Sequence, residues 1–372
     1  MSAVAAIKLR KRSIVVQYAK PRDLKAAVQV LTTLLPVSAV WYAAALSNRL
    51  PNHLATVAPV AICVMSLFLL RVFVLMHDCG HGSLFRSASL NKVFGFGFGL
   101  LTGMPQYVWA QHHNYHHATN GNWAKYRGPL AILSVDEYEA LPRWRKRAYV
   151  HMRNICLAPF GGFMYLIFNP RVTWLKGTIG LAWHVARGKI AQPHLAIRVH
   201  AAGFQTAYWA SPAEYWHMTW NNLALLATAA LMSWLIGPAL FLLVYVASVS
   251  MAGAAGIVLF TVQHNFEHSY ASGDRDWDYD TAAILGTSFL ALPAWLNWFT
   301  ASIGYHHIHH LSARIPNYRL AECHAEHAQL FAPVRRLTLG DIGPSLKFLL
   351  WDPQSRRIIS VAEHELGKHA PA

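Results

Sequence analysis

An all-α integral membrane protein, with about four transmembrane helices and a helical cap on the cytoplasmic side, is the fold class this sequence predicts. Three observations predict it. The 372-residue chain is 54% hydrophobic and only 13% charged, with a mean hydropathy of +0.25, whereas a soluble globular protein carries about 25% charged residues. Its charge-poor runs reach or exceed the roughly 20 residues a helix needs to cross a bilayer. Its histidines gather in three short clusters, each beside a long hydrophobic stretch.

Residues 1–25 form a basic segment (Lys8, Arg10, Lys11, Arg12, Lys20, Arg22, Lys25). No cleavable leader pattern is visible, because the hydrophobic run that follows is long enough to span. Ala26–Leu46 offers 21 residues without a charge, and Leu54–Met76 offers 23 with one, Arg71. The 40 charge-free residues Leu223–Val262 are interrupted by Gly237-Pro238, which reads as two helices joined by a tight turn. The expected spans are therefore 26–46, 54–76, 216–236 and 238–262. The predicted external loops, near Ser47–His53 and Gly237–Pro238, hold one basic residue, Arg49, while Arg143, Arg145, Lys146 and Arg147 fall on the other side. The positive-inside rule then places both termini in the cytoplasm. A bacterial inner membrane is the expected location.

Val93–Ala124 is uncharged but contains Gly95, Gly97, Gly99, Gly103 and Pro105. It reads as interfacial or re-entrant, since a full crossing would put the second histidine cluster on the opposite side from the first. Residues 125–215 read as mostly cytoplasmic; their apolar stretch Ile155–Phe168 is short and rich in Gly and Pro for a span. Residues 331–372 form a cytoplasmic tail. The formal charge of +15 is explained by basic clusters flanking spans, which would also attract anionic lipid headgroups, so no nucleic-acid partner is expected. Cys63, Cys79, Cys156 and Cys323 show no paired spacing and suggest no disulfide framework.

The clusters carry the chemistry. They are His77-Asp78-Cys79-Gly80-His81, His112-His113-Asn114-Tyr115-His116-His117 and His306-His307-Ile308-His309-His310. Residues three and four apart share a helix face. The pair His77/His81 and the trios His113/His116/His117 and His306/His309/His310 could thus each aim at one point, together offering enough neutral ligands for two metal ions. His112 stands four residues from His116, and His307 three from His310, so spacing leaves both open. Imidazole suits zinc, copper, iron and nickel alike. There is no HExxH zinc motif, and Glu214–His217 is an isolated Glu-x-x-His where a carboxylate-bridged bundle needs pairs. With neutral ligands, bridging oxide or hydroxide could balance the metal charge, helped by carboxylates that orient the rings; Asp78, Glu267 and the acidic run Asp274, Asp276, Asp278 and Asp280 are the candidates, and an ordinary solvated loop is the other reading of that run.

These boxes resemble the membrane fatty acid desaturase superfamily. The likeness rests on the first box, on Trp109-Ala110-Gln111 leading into the second, and on the third box followed by Ile315-Pro316-Asn317-Tyr318, and it covers roughly residues 50–330. The form of the first box, Gln263-His264 upstream of Asp276-Trp277, and the Pro-x-Tyr after the third box are similar to the acyl-lipid branch, which includes omega-6 and bacterial enzymes. The resemblance implies a desaturase domain over 26–330 and a di-iron centre held by His77, His81, His113, His116, His117, His264, His306, His309 and His310. His112 and His307 then become bystanders or supports, and His268 is a weaker rival to His264 for the histidine before the third box, or a support. It also implies O2 as co-substrate, an acyl lipid or acyl thioester as substrate, and a separate ferredoxin-like or cytochrome b5-like electron donor. Trp109, Tyr107 and Phe94–Gly99 are candidates for a tunnel lining, although small-residue helix packing is the simpler reading of the last. Two rivals share part of this pattern: a di-iron hydroxylase of a lipid, alkane or carotenoid, and a histidine-rich metal transporter.

Overall fold

Long runs without charge can satisfy their backbone only as helices where water is absent, and helices dominate the computed structural model. It describes residues 3–47, 52–128 and 130–369. Helix α1 (Ala3–Tyr18) precedes the antiparallel pair α2 (Asp23–Ser47) and α3 (His53–Gly80); most of the loop expected around Ser47–His53 lies outside the described residues. Helices α4 (Ala88–Thr102) and α5 (Gln106–Thr119) form a hairpin against α3. Ser87 caps α4 by accepting a hydrogen bond from Leu90 N, and Gly103 ends it at a φ of 77°, a left-handed conformation that glycine adopts without strain. A Cβ on Gly99 would come within 2.4 Å of the Met104 carbonyl oxygen, so the hairpin closes only around glycine. The hairpin doubles back and brings His113 of the second histidine cluster beside His77 and His81 of the first.

Strand β1 (Leu133–Ser134), α6 (Val135–Glu139) and α7 (Arg143–His151) follow. Next, α8 (Ala158–Phe163), a π-helical turn at Met164–Phe168 and α9 (Asn169–Ala191) run on as one stretch. After α10 (Ile197–Ala202), α11 (Pro212–Ile236) and α12 (Pro238–His264) form the expected hairpin, turning at Gly237 with a φ of 91°. Helix α12 is central: it packs against α3 on one side and α8 on the other. The remaining helices and strands are α13 (Tyr279–Leu285), β2 (Phe289–Leu290), α14 (Ala294–Phe299), α15 (His306–Leu311), α16 (Asn317–Glu326), β3 (Arg336–Leu337), α17 (Ile342–Ser345), β4 (Phe348–Asp352), β5 (Arg357–Ser360) and α18 (Val361–His369).

Two points differ from the sequence reading. Among the described residues five helices, not four, are long and apolar enough to cross a membrane: Asp23–Ser47, Leu54–Gly80, Ile155–Ala191, Pro212–Ile236 and Pro238–His264. The extra one arises because Pro159 sits in the first turn of α8, where a missing N–H costs nothing, and the Leu166 carbonyl that Pro170 cannot meet accepts from Arg171 Nη1 at 3.4 Å, so neither breaks the stretch. The fold is also mostly rather than wholly helical, since β4 pairs with β1 and β5, and β2 pairs with β3. Leu31, Leu35, Leu226, Leu231 and Trp234 stand exposed on the long helices, an apolar surface of the kind a bilayer covers.

Candidate metal centre

Four helix segments bring nine imidazoles together. The last turn of α3 supplies His77 and the residue that caps its end is His81; α5 supplies His113, His116 and His117, the final residue of α12 is His264, and α15 supplies His306, His309 and His310. They form two groups, His77/His81/His113/His117/His309 and His116/His264/His306/His310, and within each the candidate ligand atoms lie within 4.8 Å of one another. The trios do not each aim at one point. In both, the residues four apart (His113/His117, His306/His310) stay together and the third turns to the other group. At about 100° per residue on an α-helix, i and i+4 diverge by only about 40°, whereas an i+3 residue lies to the other side. The groups adjoin where His117 and His310 stack at 4.2 Å.

The ring nitrogens point at one another, and Nε2 of His117, which carries either one proton or one lone pair, faces two others. Nε2 of His117 lies 3.1 Å from Nε2 of His113 and 3.0 Å from that of His309. In the second group His116 and His310 meet at 3.2 Å, and His306 and His264 at 3.0 Å, again through Nε2. Separations near 3 Å suit two imidazoles bound about 2.0–2.1 Å from one ion. Nε2 of His81 is buried without a partner. Burial first, and then the neighbouring imidazoles, hold His81, His113, His116, His117, His306, His309 and His310 well below their ordinary 6.5. These rings therefore stand neutral, with a lone pair available to a metal. The residues fit two imidazole-ligated ions.

The supporting shell is narrower than the sequence suggests. Asp78 reaches the cluster, with Oδ1 2.9 Å from Nδ1 of His77, and the Gly286 carbonyl lies 3.3 Å from Nδ1 of His264. Asp278 and Asp280 instead bind Lys8 and Lys11 at 2.8 and 2.6 Å, Asp274 binds Lys125 and Asp276 Arg356, and Glu267 pairs with Arg335. His112 is exposed. His268 is exposed beside Arg357, and His307 is buried behind the site, 3.1 Å from His324.

A cavity of about 280 Å³ opens beside the first group, lined by apolar side chains of α3, α5, α12 and the π-helical turn, with His77, His113 and His306 at its edge. Trp109 stacks on His113 at 4.5 Å and donates a 2.9 Å hydrogen bond to Tyr165 Oη. Tyr107 packs instead against His217, and Phe94 stacks on Phe85. Two wall residues escaped the sequence reading. Tyr165 carried no motif. Phe260, whose ring lies 4.9 and 5.1 Å from those of His116 and His264, was legible as the residue one turn before His264.

The chain is similar to known proteins over most of its length. The family model "Fatty acid desaturase" matches residues 51–339. A fatty acid desaturase of Bacillus subtilis (strain 168) is 35% identical over 347 residues, 93% of this chain and 88% of its own. An sn-1 oleoyl-lipid 12-desaturase of Picosynechococcus is 25% identical, covering 68% of this chain and 64% of its own. An endoplasmic-reticulum omega-3 fatty acid desaturase of Vigna radiata is also 25% identical, over 68% and 59%. A chain with buried clustered histidines beside an apolar cavity and long apolar helices is thus a membrane oxidoreductase of acyl chains. It belongs to the fatty acid desaturase family.

Proposed function

We propose that the protein is an acyl-lipid desaturase whose nine clustered histidines hold two iron ions. The first ion would be held by His77, His81, His113, His117 and His309, and the second by His116, His264, His306 and His310. The observation that carries this is the paired set of Nε2 atoms about 3 Å apart in two adjoining groups. Iron would supply the power to activate O2 for attack on unactivated C–H bonds. Two hydrogens leave adjacent methylenes, and O2, two electrons and two protons complete the balance as two waters. The protein's own part is to keep the imidazoles neutral, to fix His77 through Asp78, and to exclude water around the acyl chain with an apolar wall. The electrons come from a separate donor, ferredoxin-like or cytochrome b5-like.

For orientation, we read four crossings with termini and active site on the cytoplasmic face. Helix α11 runs back along α12, so its start stands at the same end as His264. The stretch Ile155–Ala191 meets that end: Trp174 donates to Thr219 at 2.9 Å, and Trp209 packs over Gly177. These contacts support its lying along the bundle rather than through the bilayer.

Expression in a host with saturated and monounsaturated lipids, followed by fatty-acid mass spectrometry, tests the function. A new double bond that is absent with His116→Ala, together with about two irons per purified chain, is expected. A hydroxylated product without alkene, or protein without iron, would refute the reading.

A further inference from the structure

Gly256 lies inside α12, where glycine costs helix stability relative to alanine. Its neighbour Gly253 has a packing reason, since a Cβ there would fall 2.7 Å from Gly162 Cα. Gly256 has no such contact: a Cβ built on it meets no heavy atom within 4 Å. The residue fronts the cavity that reaches His77, His113 and His306. Ala252, Gly256, Leu259, Phe260 and Gln263 share this wall with the spacing of one helix face. Phe260 touches the rings of His116 and His264. Gly256 lies one turn further from the metal centre, about 12 Å along the helix axis from His264.

We infer that Gly256 sets how much acyl chain fits on the membrane side of the reaction site, and so acts as a specificity-determining residue. The inference rests on the reading of the cavity as the acyl site. A Cβ at this position would displace no protein atom, and each further carbon would take volume from the cavity that the residue lines. Chains whose far end must pass Gly256 would be penalised, and chains that stop short of it would not. The discrimination follows from burial and close packing alone, because nothing polar marks an acyl tail.

The test uses the full-length protein and Gly256→Ala, Gly256→Val and Gly256→Leu, expressed in cells supplied with myristoyl, palmitoyl and stearoyl chains. Alkene yields and double-bond positions are read by mass spectrometry, with metal content measured on purified samples. The ratio of stearoyl to myristoyl desaturation should fall stepwise with side-chain size, by roughly tenfold or more for leucine, since one methylene too many in an apolar pocket has effects of that order. Metal content should stay at the wild-type level. An unchanged ratio, or equal loss on every chain length, overturns the inference while leaving the desaturase reading intact. A wild-type protein that forms no alkene removes both.

Discussion

Asp78 follows His77 in the chain, and its two oxygens face different parts of the fold. Oδ1 lies 2.9 Å from His77 Nδ1, so with the proton on Nδ1 the lone pair of Nε2 is turned toward the other rings. Oδ2 accepts a 2.9 Å hydrogen bond from Asn317 N at the start of α16, joining the first histidine box to the segment after the third. Asp78→Asn keeps the shape but removes the anion and sets an N–H donor against one of two donors. Metal retention should weaken roughly 10–100-fold, the usual cost of losing an outer partner of a ligating histidine. Competition with a chelator measures it, and unchanged retention would reduce Asp78 to packing. Asp78 was legible because it adjoins a box. Asp278 and Asp280 were not separable from it in sequence, because their partners Lys8 and Lys11 stand some 270 residues away.

At the scale of elements, the histidine boxes and the α11–α12 hairpin were readable because runs of uncharged residues and i, i+4 spacing are local signals. The stretch Ile155–Ala191 was not. It carries Arg171 inside apolar surroundings, and what makes that tolerable is remote: Nε donates to Asn222 at 2.7 Å and Nη2 to Asn221 at 2.9 Å, with Nη1 donating to the Gly103 carbonyl. Its close seat on α12 is also invisible in sequence. A Cβ on Gly162 would stand 2.2 Å from the Ser250 oxygen and 2.7 Å from Ala254 N, both rigid backbone. Small residues of this kind let apolar helices approach without a polar tie. Gly162→Val should therefore destabilise the fold by about 1–3 kcal/mol, the usual cost of overpacking. Gly256→Ala, on the same helix pair but facing open space, should leave stability unchanged or raise it by up to about 1 kcal/mol. Thermal unfolding in detergent compares the two, and equal effects would mean that the glycines do not differ as the contacts say.

For the whole molecule, the centre is a shared core: α3, α5, α12 and α15 each surrender apolar packing to imidazoles, while α1 is strapped by ion pairs to Asp278 and Asp280 at the start of α13. Such a core has a definite acid response. Seven of the nine rings, His81, His113, His116, His117, His306, His309 and His310, titrate below 6.5 in the folded chain, so between those lowered values and 6.5 the unfolded chain binds more protons than the folded one. Linkage then makes stability rise with pH through that window. The metal-free protein should show flat stability above about pH 7 and a progressive loss as pH falls below about 6.5. The metal-bound protein should lose metal over the same range, because protons and metal compete for the same nitrogens. The strap acts later. Burial raises the Asp278 carboxyl, but hydrogen bonds from Lys8 and Thr281 outweigh it and hold the group down at about 2, so its contribution is present above the ordinary 3.8 and is lost only as pH falls toward 2. Unfolding curves of metal-free protein in detergent, taken at steps from about pH 8 to about pH 2, separate the two. A stability that stays level down to about pH 5 would mean that the imidazoles are hydrated and chargeable in the fold, and that the histidine core is not the dry metal site its geometry describes.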